Sequence, residues 1–344
     1  MVEPACFLKP RRMFLTEANV LHYLVERQFV DLETVVSGAF AVRSLTRRNR
    51  NLHVRCGARL YLVKQAKDWD LGARTTVERE AAFYRQPETR KSPLLPHCYA
   101  YDPQNSALIL EYLSGHTDLF DTLDRFSPEL GWLCGKAMGT FHREMESGSV
   151  AHLFPGSIPW ILSHHDVTED LEEPSGGQRE LARVVKSYAE FARGLDQLRA
   201  EWRDDTLTHG DWKLENCLIS PERTRLRVVD WEFASWGDSI WDVSSLLQSY
   251  CNPWVSSPSD CPIEVIQPAL RAFLDAYAQS RRRDLEELSV RAVRFAGARM
   301  LQTAFETLND VEEMNGEAVR LLQGCFNIFT RPNWAADQLI GKPL

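Results

Sequence analysis

The sequence of 344 residues has no long hydrophobic run and no closely paired cysteines. No stretch approaches the roughly 18 consecutive apolar residues of a membrane-spanning helix, so we predict no contact with a membrane. The N-terminus has no apolar segment followed by a cleavage site, and we therefore expect a cytoplasmic protein without a secretory signal. The eight cysteines are scattered without a C-x-x-C pair, which is more typical of buried thiols than of a disulfide framework or a zinc site.

The chain also lacks a dense basic stripe and any recognised nucleic-acid motif, so we predict that it binds no nucleic acid. The formal charge of −8 is unevenly spread, because residues 1–111 contain 17 Lys and Arg against 12 Asp and Glu while the remainder is acidic. This asymmetry fits an anionic ligand on the first part and a cationic or polar ligand on the rest, or solvated surfaces that differ by chance. Apolar residues are plentiful at 44%, which predicts a folded globular chain.

The first third of the sequence is predicted to be rich in β-structure. Short runs of β-branched and aromatic residues, joined by tight turns, favour an antiparallel meander. Apolar residues at helical spacing predict two helices, over 15–29 and over 75–86. Strands are predicted at residues 39–46, 52–56, 59–66 and 106–113.

After Gly115 the pattern is mainly helical. It includes a strongly amphipathic segment over 178–203, which predicts one long helix. Two short apolar stretches, at 217–219 and 226–229, interrupt the helical pattern. We therefore predict an α+β chain with a β-rich N-lobe at residues 1–113, which binds the nucleotide, and a helical C-lobe at 114–344, which carries the catalytic and acceptor-binding residues.

The most informative motif lies between residues 207 and 232. The sequence LTHGDWKLEN covers 207–216, and LRVVDWE covers 226–232. A His-Gly-Asp alone arises by chance. An Asp, an Asn five positions later and an apolar strand that ends in a second Asp form a far more specific combination. With His209-Gly210-Asp211, Asn216 and Asp230-Trp231-Glu232, the chain resembles the aminoglycoside-phosphotransferase-like family, which is related to choline kinases and protein kinases.

The resemblance extends outward from this motif and implies a bilobal protein-kinase-like fold. LYLVK, which ends at Lys64, is similar to the third strand of the family, and VEREAAF, with Glu80, is similar to the helix that follows. LILEYLSG is similar to the hinge, where backbone groups of Glu111, Tyr112 and Leu113, and chiefly of the last two, are expected to contact adenine. The implied cofactors are ATP and Mg²⁺, and the implied activity is transfer of the γ-phosphate to an acceptor hydroxyl.

The resemblance also implies roles for single residues. Asp211 would accept the proton of the attacking hydroxyl or orient it, and Asn216 and Asp230 offer the oxygen ligands that Mg²⁺ prefers. Lys64 would hold the α- and β-phosphates, with Glu80 rather than Glu78 as its ion-pair partner. Asp238 and Asp242, just past the second motif, are expected to cap a helix and to bond the backbone of the catalytic loop.

Three positions depart from the family pattern or leave its meaning open. Lys213 stands where most small-molecule members have His and where protein Ser/Thr kinases have a Lys that contacts the transferred phosphate, although an exposed lysine is the alternative. Glu232 is either a second metal carboxylate or a hydrogen-bonding group of its loop. The turn at residues 46–51 has no glycine, so Arg47 and Arg48 either bind the phosphates directly or form an exposed basic turn.

The acceptor is not defined by the motifs. It is a small alcohol, an aminoglycoside, a sugar or a choline-like compound, or else a peptide Ser or Thr. Lys213, with a weaker resemblance of residues 159–162 and 298–306 to phosphotransferases that act with peptide lyases, favours a modified peptide and a partner lyase. A third hypothesis is a nucleotide-binding pseudokinase scaffold, which the missing glycines favour and the retained Lys64, Asp211, Asn216 and Asp230 oppose.

Overall fold

The computed structural model describes residues 12–45, 50–67, 71–146, 153–163 and 173–341. The chain divides into two compact units, Met1–His116 with Asp230–Phe233, and Thr117–Val229 with Ala234–Leu344. The first unit contains an antiparallel sheet and the second is mainly helical, so the predicted α+β class is confirmed. The segment Asp230–Phe233 belongs by its contacts to the first unit, which a division along the sequence does not show.

The first unit is built on a five-stranded antiparallel sheet with the strand order β1-β2-β3-β5-β4. Side chains alternate between the two faces of each strand. Leu52 and Val54 of β2 lie in a hydrophobic core that also includes Tyr61 of β3, whereas His53 and Lys64 fall on the opposite face. The elements are α1 (Val20–Glu26), α2 (Leu32–Val36), β1 (Phe40–Ser44), β2 (Arg50–Cys56), β3 (Arg59–Gln65), α3 (Leu71–Arg85), β4 (Cys98–Asp102) and β5 (Ala107–Glu111).

The second unit consists of helices and two small antiparallel sheets, β6-β8-β9 and β7-β10. Its first part contains β6 (Thr117–Asp118), α4 (Pro128–Glu144), α5 (Trp160–Ser163), α6 (Gly176–Ser187), α7 (Ala189–Ala200), β7 (Thr206–Thr208), β8 (Cys217–Ile219) and β9 (Leu226–Val228). It continues with β10 (Ser235–Gly237), α8 (Ser239–Ser256), α9 (Ile263–Arg281), α10 (Leu285–Glu306), α11 (Gly316–Thr330) and α12 (Pro332–Ile340). None of the helices in the described ranges is long and apolar enough to cross a membrane.

Two predicted helices differ from the structure. The helix predicted over 15–29 is shorter, because Asn19 bonds the backbone of Thr16 and Phe14 before α1 begins. Beyond its end, Gln28 has a φ of 62°, which no α-helix accommodates. The single helix predicted over 178–203 is two helices, α6 and α7, because Tyr188 between them is extended with φ −120° and ψ 111°.

Candidate active site

On the sheet of the first unit, Lys64 lies in a cluster of three carboxylates. Its Nζ is 2.6 Å from Glu80 Oε2 on α3 and 3.6 Å from Glu232 Oε2, and it donates a short hydrogen bond to Asp230. Lys64, Glu80 and Glu232 are buried, whereas the side chain of Asp230 is 43% exposed. The predicted partner Glu80 is therefore beside Lys64, and Glu78 is exposed.

Burial and the three carboxylates around one lysine shift the pKa values of Lys64 and Glu80. Burial opposes the charge of Lys64, but attraction to Glu80, Asp230 and Glu232 outweighs it and raises the pKa of Lys64 above its ordinary value. Burial raises the pKa of Glu80 to about 7, and repulsion from Asp230 adds to the effect against the attraction of Lys64. The pKa of the buried Glu80 therefore lies near neutral pH.

Asp230 begins a short helical turn that carries the second motif. Its φ of 69° lies in the left-handed region, which is uncommon for a residue other than glycine and recurs at functional sites. The turn Trp231–Phe233 follows, and the Trp231 ring stacks on Phe83 of α3 with 4.1 Å between ring centroids. This buried stack anchors the turn beside Lys64.

The predicted hinge follows β5. The Glu111 N–H donates to the carbonyl of His97, and the Glu111 carboxylate accepts from the His97 N–H at 3.0 Å. The Tyr112 N–H donates to the carbonyl of Leu60, so it is engaged within the sheet. The Tyr112 ring stacks on the His53 imidazole of β2, with centroids 3.8 Å apart and an interplanar angle of 22°.

In the second unit, Asp242 fixes the backbone of the His-Gly-Asp loop. Its Oδ2 accepts from the His209 N–H at 2.7 Å and its Oδ1 from the Gly210 N–H at 2.9 Å. The buried His142 of α4 holds Asp242 in turn, with Nε2 3.0 Å from Oδ2. Gly210 has a φ of 82°, which favours glycine. The predicted bonding by Asp242 is confirmed, and so is the cap by Asp238, which accepts from the Ile240 N–H at the start of α8.

Asp211, at the end of this loop, is held by two cations. Lys213 Nζ lies 2.6 Å from Oδ2, and Arg299 Nη2 of α10 lies 2.8 Å from Oδ1. The Asn216 amide donates from Nδ2 to the backbone carbonyl of Asp211 at 3.0 Å. Burial opposes the charge of Lys213, but attraction to Asp211 outweighs it and raises the pKa of Lys213. Each carboxylate oxygen of Asp211 therefore accepts from a positively charged donor.

Arg299 is the residue of this site that the sequence analysis did not assign. It lies 88 positions after Asp211 in an apolar part of α10, between Ala298 and Met300. An arginine within an apolar helical stretch is rarely buried without an ion-pair partner. That pattern is a signal for a buried ion pair, but it does not identify Asp211 as the partner.

The donor atoms of two predicted metal ligands suit Mg²⁺. Asp230 offers a carboxylate, and the Asn216 amide, whose nitrogen faces the Asp211 carbonyl, offers an oxygen. Within the second unit, the Val229 N–H donates to the Asn216 carbonyl at 3.0 Å. No group of three or more His, Cys, Asp or Glu side chains within the described ranges could hold a metal ion.

Two predicted phosphate-binding residues, Arg47 and Arg48, lie outside the described residues. The remaining predicted residues form two groups, one in each unit. Lys64, Glu80 and Asp230 meet in the first unit, where the segment Glu111–Leu113 follows β5. Asp211, Lys213 and Asn216 meet in the second. A buried lysine on an antiparallel sheet, paired with a glutamate of the next helix, and a backbone-fixed His-Gly-Asp loop in a helical unit define the class of protein-kinase-like phosphotransferases.

Comparison with known proteins agrees with this class. The sequence matches the phosphotransferase enzyme family over residues 42–289, and no curated protein matches it. An ethanolamine kinase from Plasmodium vivax has a TM-score of 0.64 at 13% identity, with 93% of this chain and 92% of that chain covered. Choline kinase LicA from Streptococcus pneumoniae has a TM-score of 0.53 at 16% identity, with 90% and 99% covered.

A thermostable mutant of aminoglycoside phosphotransferase APH(4)-Ia, in a ternary complex with ADP and hygromycin B, has a TM-score of 0.52 at 14% identity, with 91% and 98% covered. At such identities the likeness shows the fold. The family match covers most of the chain, and the chain belongs to the phosphotransferase enzyme family. The predicted family, protein-kinase-like fold and phosphotransferase enzyme are confirmed.

Proposed function

We propose that this chain is an ATP- and Mg²⁺-dependent kinase that phosphorylates a hydroxyl group of a small molecule. The observation that carries the proposal is the buried Lys64, paired with Glu80 at 2.6 Å and bonded to Asp230. A lysine fixed in this way presents a positive charge to phosphate oxygens, and Asp230 presents a carboxylate to the metal. Membership of the phosphotransferase family supports the reaction type.

The reaction forms a bond between the acceptor oxygen and the γ-phosphorus and breaks the bond from that phosphorus to ADP. Asp211 orients the acceptor hydroxyl and accepts its proton, which then passes to solvent. In this proposal Lys213, whose side chain is 37% exposed, leaves Asp211 and contacts the transferred phosphate. Asn216 and Asp230 would hold Mg²⁺, which would neutralise charge that develops on the phosphate oxygens.

The adenine base is proposed to bind at the segment that follows β5. Because the Tyr112 N–H donates to Leu60, we assign the base contacts to the Glu111 carbonyl and the Leu113 N–H, which changes the prediction that favoured Tyr112. The stacked His53 and Tyr112 rings provide an aromatic surface beside these groups. Purine analogues altered at the Watson–Crick edge should therefore compete poorly with ATP.

The acceptor is proposed to be a small alcohol. The neighbours are named as kinases of ethanolamine and choline and as an aminoglycoside phosphotransferase with hygromycin B, and these three compounds are the first acceptors to test. The peptide acceptor stays a prediction from the sequence. The predicted partner lyase has no support in these comparisons.

The test uses the purified chain and measures nucleotide binding and phosphate transfer separately. ATP should bind only when Mg²⁺ is present, and ADP should form from ATP only when Mg²⁺ is present. Asp230→Asn should abolish Mg²⁺-dependent binding, whereas Asp211→Asn should retain binding and lose turnover, because Asp211 acts on the acceptor. Binding without turnover by the wild-type chain with every acceptor would favour the scaffold hypothesis, and equal loss of binding in both variants would contradict the two roles.

A further inference from the structure

Asp211 has two cationic partners that differ in mobility. The Lys213 side chain is 37% exposed, whereas the Arg299 side chain is 7% exposed and projects from the middle of α10. Arg299 Nη1 also lies 3.3 Å from Glu306 Oε1, about two turns further along the same helix. The guanidinium of Arg299 is therefore anchored through both terminal nitrogens, whereas in the described residues the ion pair of Lys213 is with Asp211.

Glu306 is itself held in place. Its Oε1 accepts from Gln302 Nε2 at 2.8 Å, so Gln302, Glu306 and Arg299 form one connected network on α10. Burial opposes the charge of Arg299, but attraction to Glu306 and Asp211 outweighs it and raises the pKa of Arg299 above its ordinary value. The guanidinium thus stays charged and bridges two carboxylates in a planar fork that a lysine cannot reproduce.

We propose that Arg299 is the positioning residue for Asp211, which holds the carboxylate in place when Lys213 turns to the transferred phosphate. The inference rests on the proposed function, in which Lys213 leaves Asp211 during the reaction. Without Arg299, the Asp211 carboxylate would rotate about its own side-chain bonds once Lys213 had left. A displacement of about 1 Å at the reacting groups is sufficient to slow a reaction by about 100-fold.

The proposal predicts that replacing Arg299 lowers kcat without changing KM for ATP. Within the described residues of the second unit, Arg299 bonds Asp211 and Glu306 and not the proposed metal ligand Asn216, so its loss should leave the affinity for ATP unchanged. Arg299→Met should lower kcat by between about 10-fold and 100-fold, with KM for ATP unchanged. Arg299→Lys keeps a charge but cannot span Asp211 and Glu306, so its kcat should lie between those of the wild type and Arg299→Met.

Arg294 provides a matched control on the same helix. Its two terminal nitrogens lie 2.7 and 2.9 Å from the Glu201 carboxylate, and its side chain is 21% exposed. Arg294→Met removes an ion pair of α10 that does not involve Asp211. We expect its kcat to equal that of the wild type, which separates positioning of Asp211 from a general effect on the helix.

The experiment measures Mg²⁺-dependent hydrolysis of ATP by the full chain, with water as the acceptor. Absence of both hydrolysis and transfer to every tested acceptor by the wild type, or persistence of hydrolysis in Asp211→Asn, would contradict the proposed function. With a wild type that depends on Asp211, an unchanged kcat in Arg299→Met, or a kcat loss matched by Arg294→Met, would overturn the positioning role. If Arg299→Met does not fold, Arg299→Lys decides the question, because wild-type kcat in that variant would equally overturn the role.

Chemical rescue of kcat is a further test, because a purely structural role of Arg299 predicts no rescue. Methylguanidinium added at millimolar concentration should restore part of the kcat of Arg299→Ala, since it can occupy the space left by the side chain and bond Asp211. The same compound should have no effect on Asp211→Asn. Failure of rescue in a folded Arg299→Ala, with sodium chloride as the ionic-strength control, would count against the role.

Discussion

Replacement of Glu80 by glutamine tests the electrostatics of the Lys64 cluster directly. Glu80 is buried, and its pKa is raised from 4.5 to about 7, with burial as the main cause. A carboxyl whose pKa is higher in the folded than in the unfolded chain stabilises the folded protein fully below its unfolded pKa. That stabilisation is lost as the pH rises through the folded pKa, because the folded state must then release a proton that it binds more tightly.

The size of the effect follows from the shift. A difference between about 4.5 and about 7 corresponds to about 3 kcal/mol of unfolding free energy, lost between roughly pH 4.5 and pH 7. Glu80→Gln has no group that titrates at this position. The unfolding free energy of the wild type should therefore fall relative to that of Glu80→Gln as the pH rises through this window.

The assay is urea unfolding of the nucleotide-free proteins at several pH values between 4.5 and 8, with the difference between variant and wild type as the readout. Titrating groups that lie far from Glu80 cancel in that difference. Glu78→Gln is the matched control, because Glu78 lies on the same helix, α3, but is exposed, and its curve should parallel that of the wild type. Parallel curves for the wild type and Glu80→Gln would refute a raised pKa for Glu80.

Three further changes test other parts of the structure. Lys213→Ala should lower kcat by about 10²–10³-fold and change ATP affinity much less, because the lysine acts where charge develops, and an unaltered kcat in steady-state assays would make it a surface residue. His53→Ala should weaken ATP binding by about 2- to 10-fold in a titration through loss of the stack with Tyr112, unless adenine binds elsewhere. Gly135→Ala should lower the unfolding free energy, measured in urea, by about 1–3 kcal/mol, because the new Cβ would lie 2.0 Å from the Phe273 carbonyl oxygen. An unchanged unfolding free energy would contradict this close packing of α4 on α9.

Much of the sheet and of the loop backbone could be predicted because their causes are local in sequence. The alternation of apolar residues in β2 and β3 places Lys64 on the face opposite the core. Two glutamates on α3, Glu78 and Glu80, are possible partners of Lys64. They lie on different faces of the helix, so the choice of Glu80 depends on how α3 packs. Tyr188 shows the limit of such reasoning, since an amphipathic pattern that continues through it did not predict the extended residue between α6 and α7.

Arg299 shows a second limit. Its partner Asp211 lies 88 positions earlier on a different element, and no period or motif connects the two residues. The sequence shows only that a charge stands in an apolar stretch of helix and needs a partner. Which of the carboxylates in an acidic unit supplies that partner depends on the packing of α10, which is a property of the whole unit.

The net charge of each part of the chain does not describe the immediate surroundings of its key residues. The first third of the chain is basic, yet its Lys64 is surrounded by three carboxylates, two of which come from the segment Asp230–Phe233. The remainder is acidic, yet Asp211 within it is held by two cations. Interactions of exposed charges are screened over about 8–10 Å, whereas buried groups respond to the partners that they touch. Lys64 and Asp211 therefore respond mainly to the few side chains that contact them. For this reason we expect Arg299, rather than the net charge of the second unit, to position Asp211.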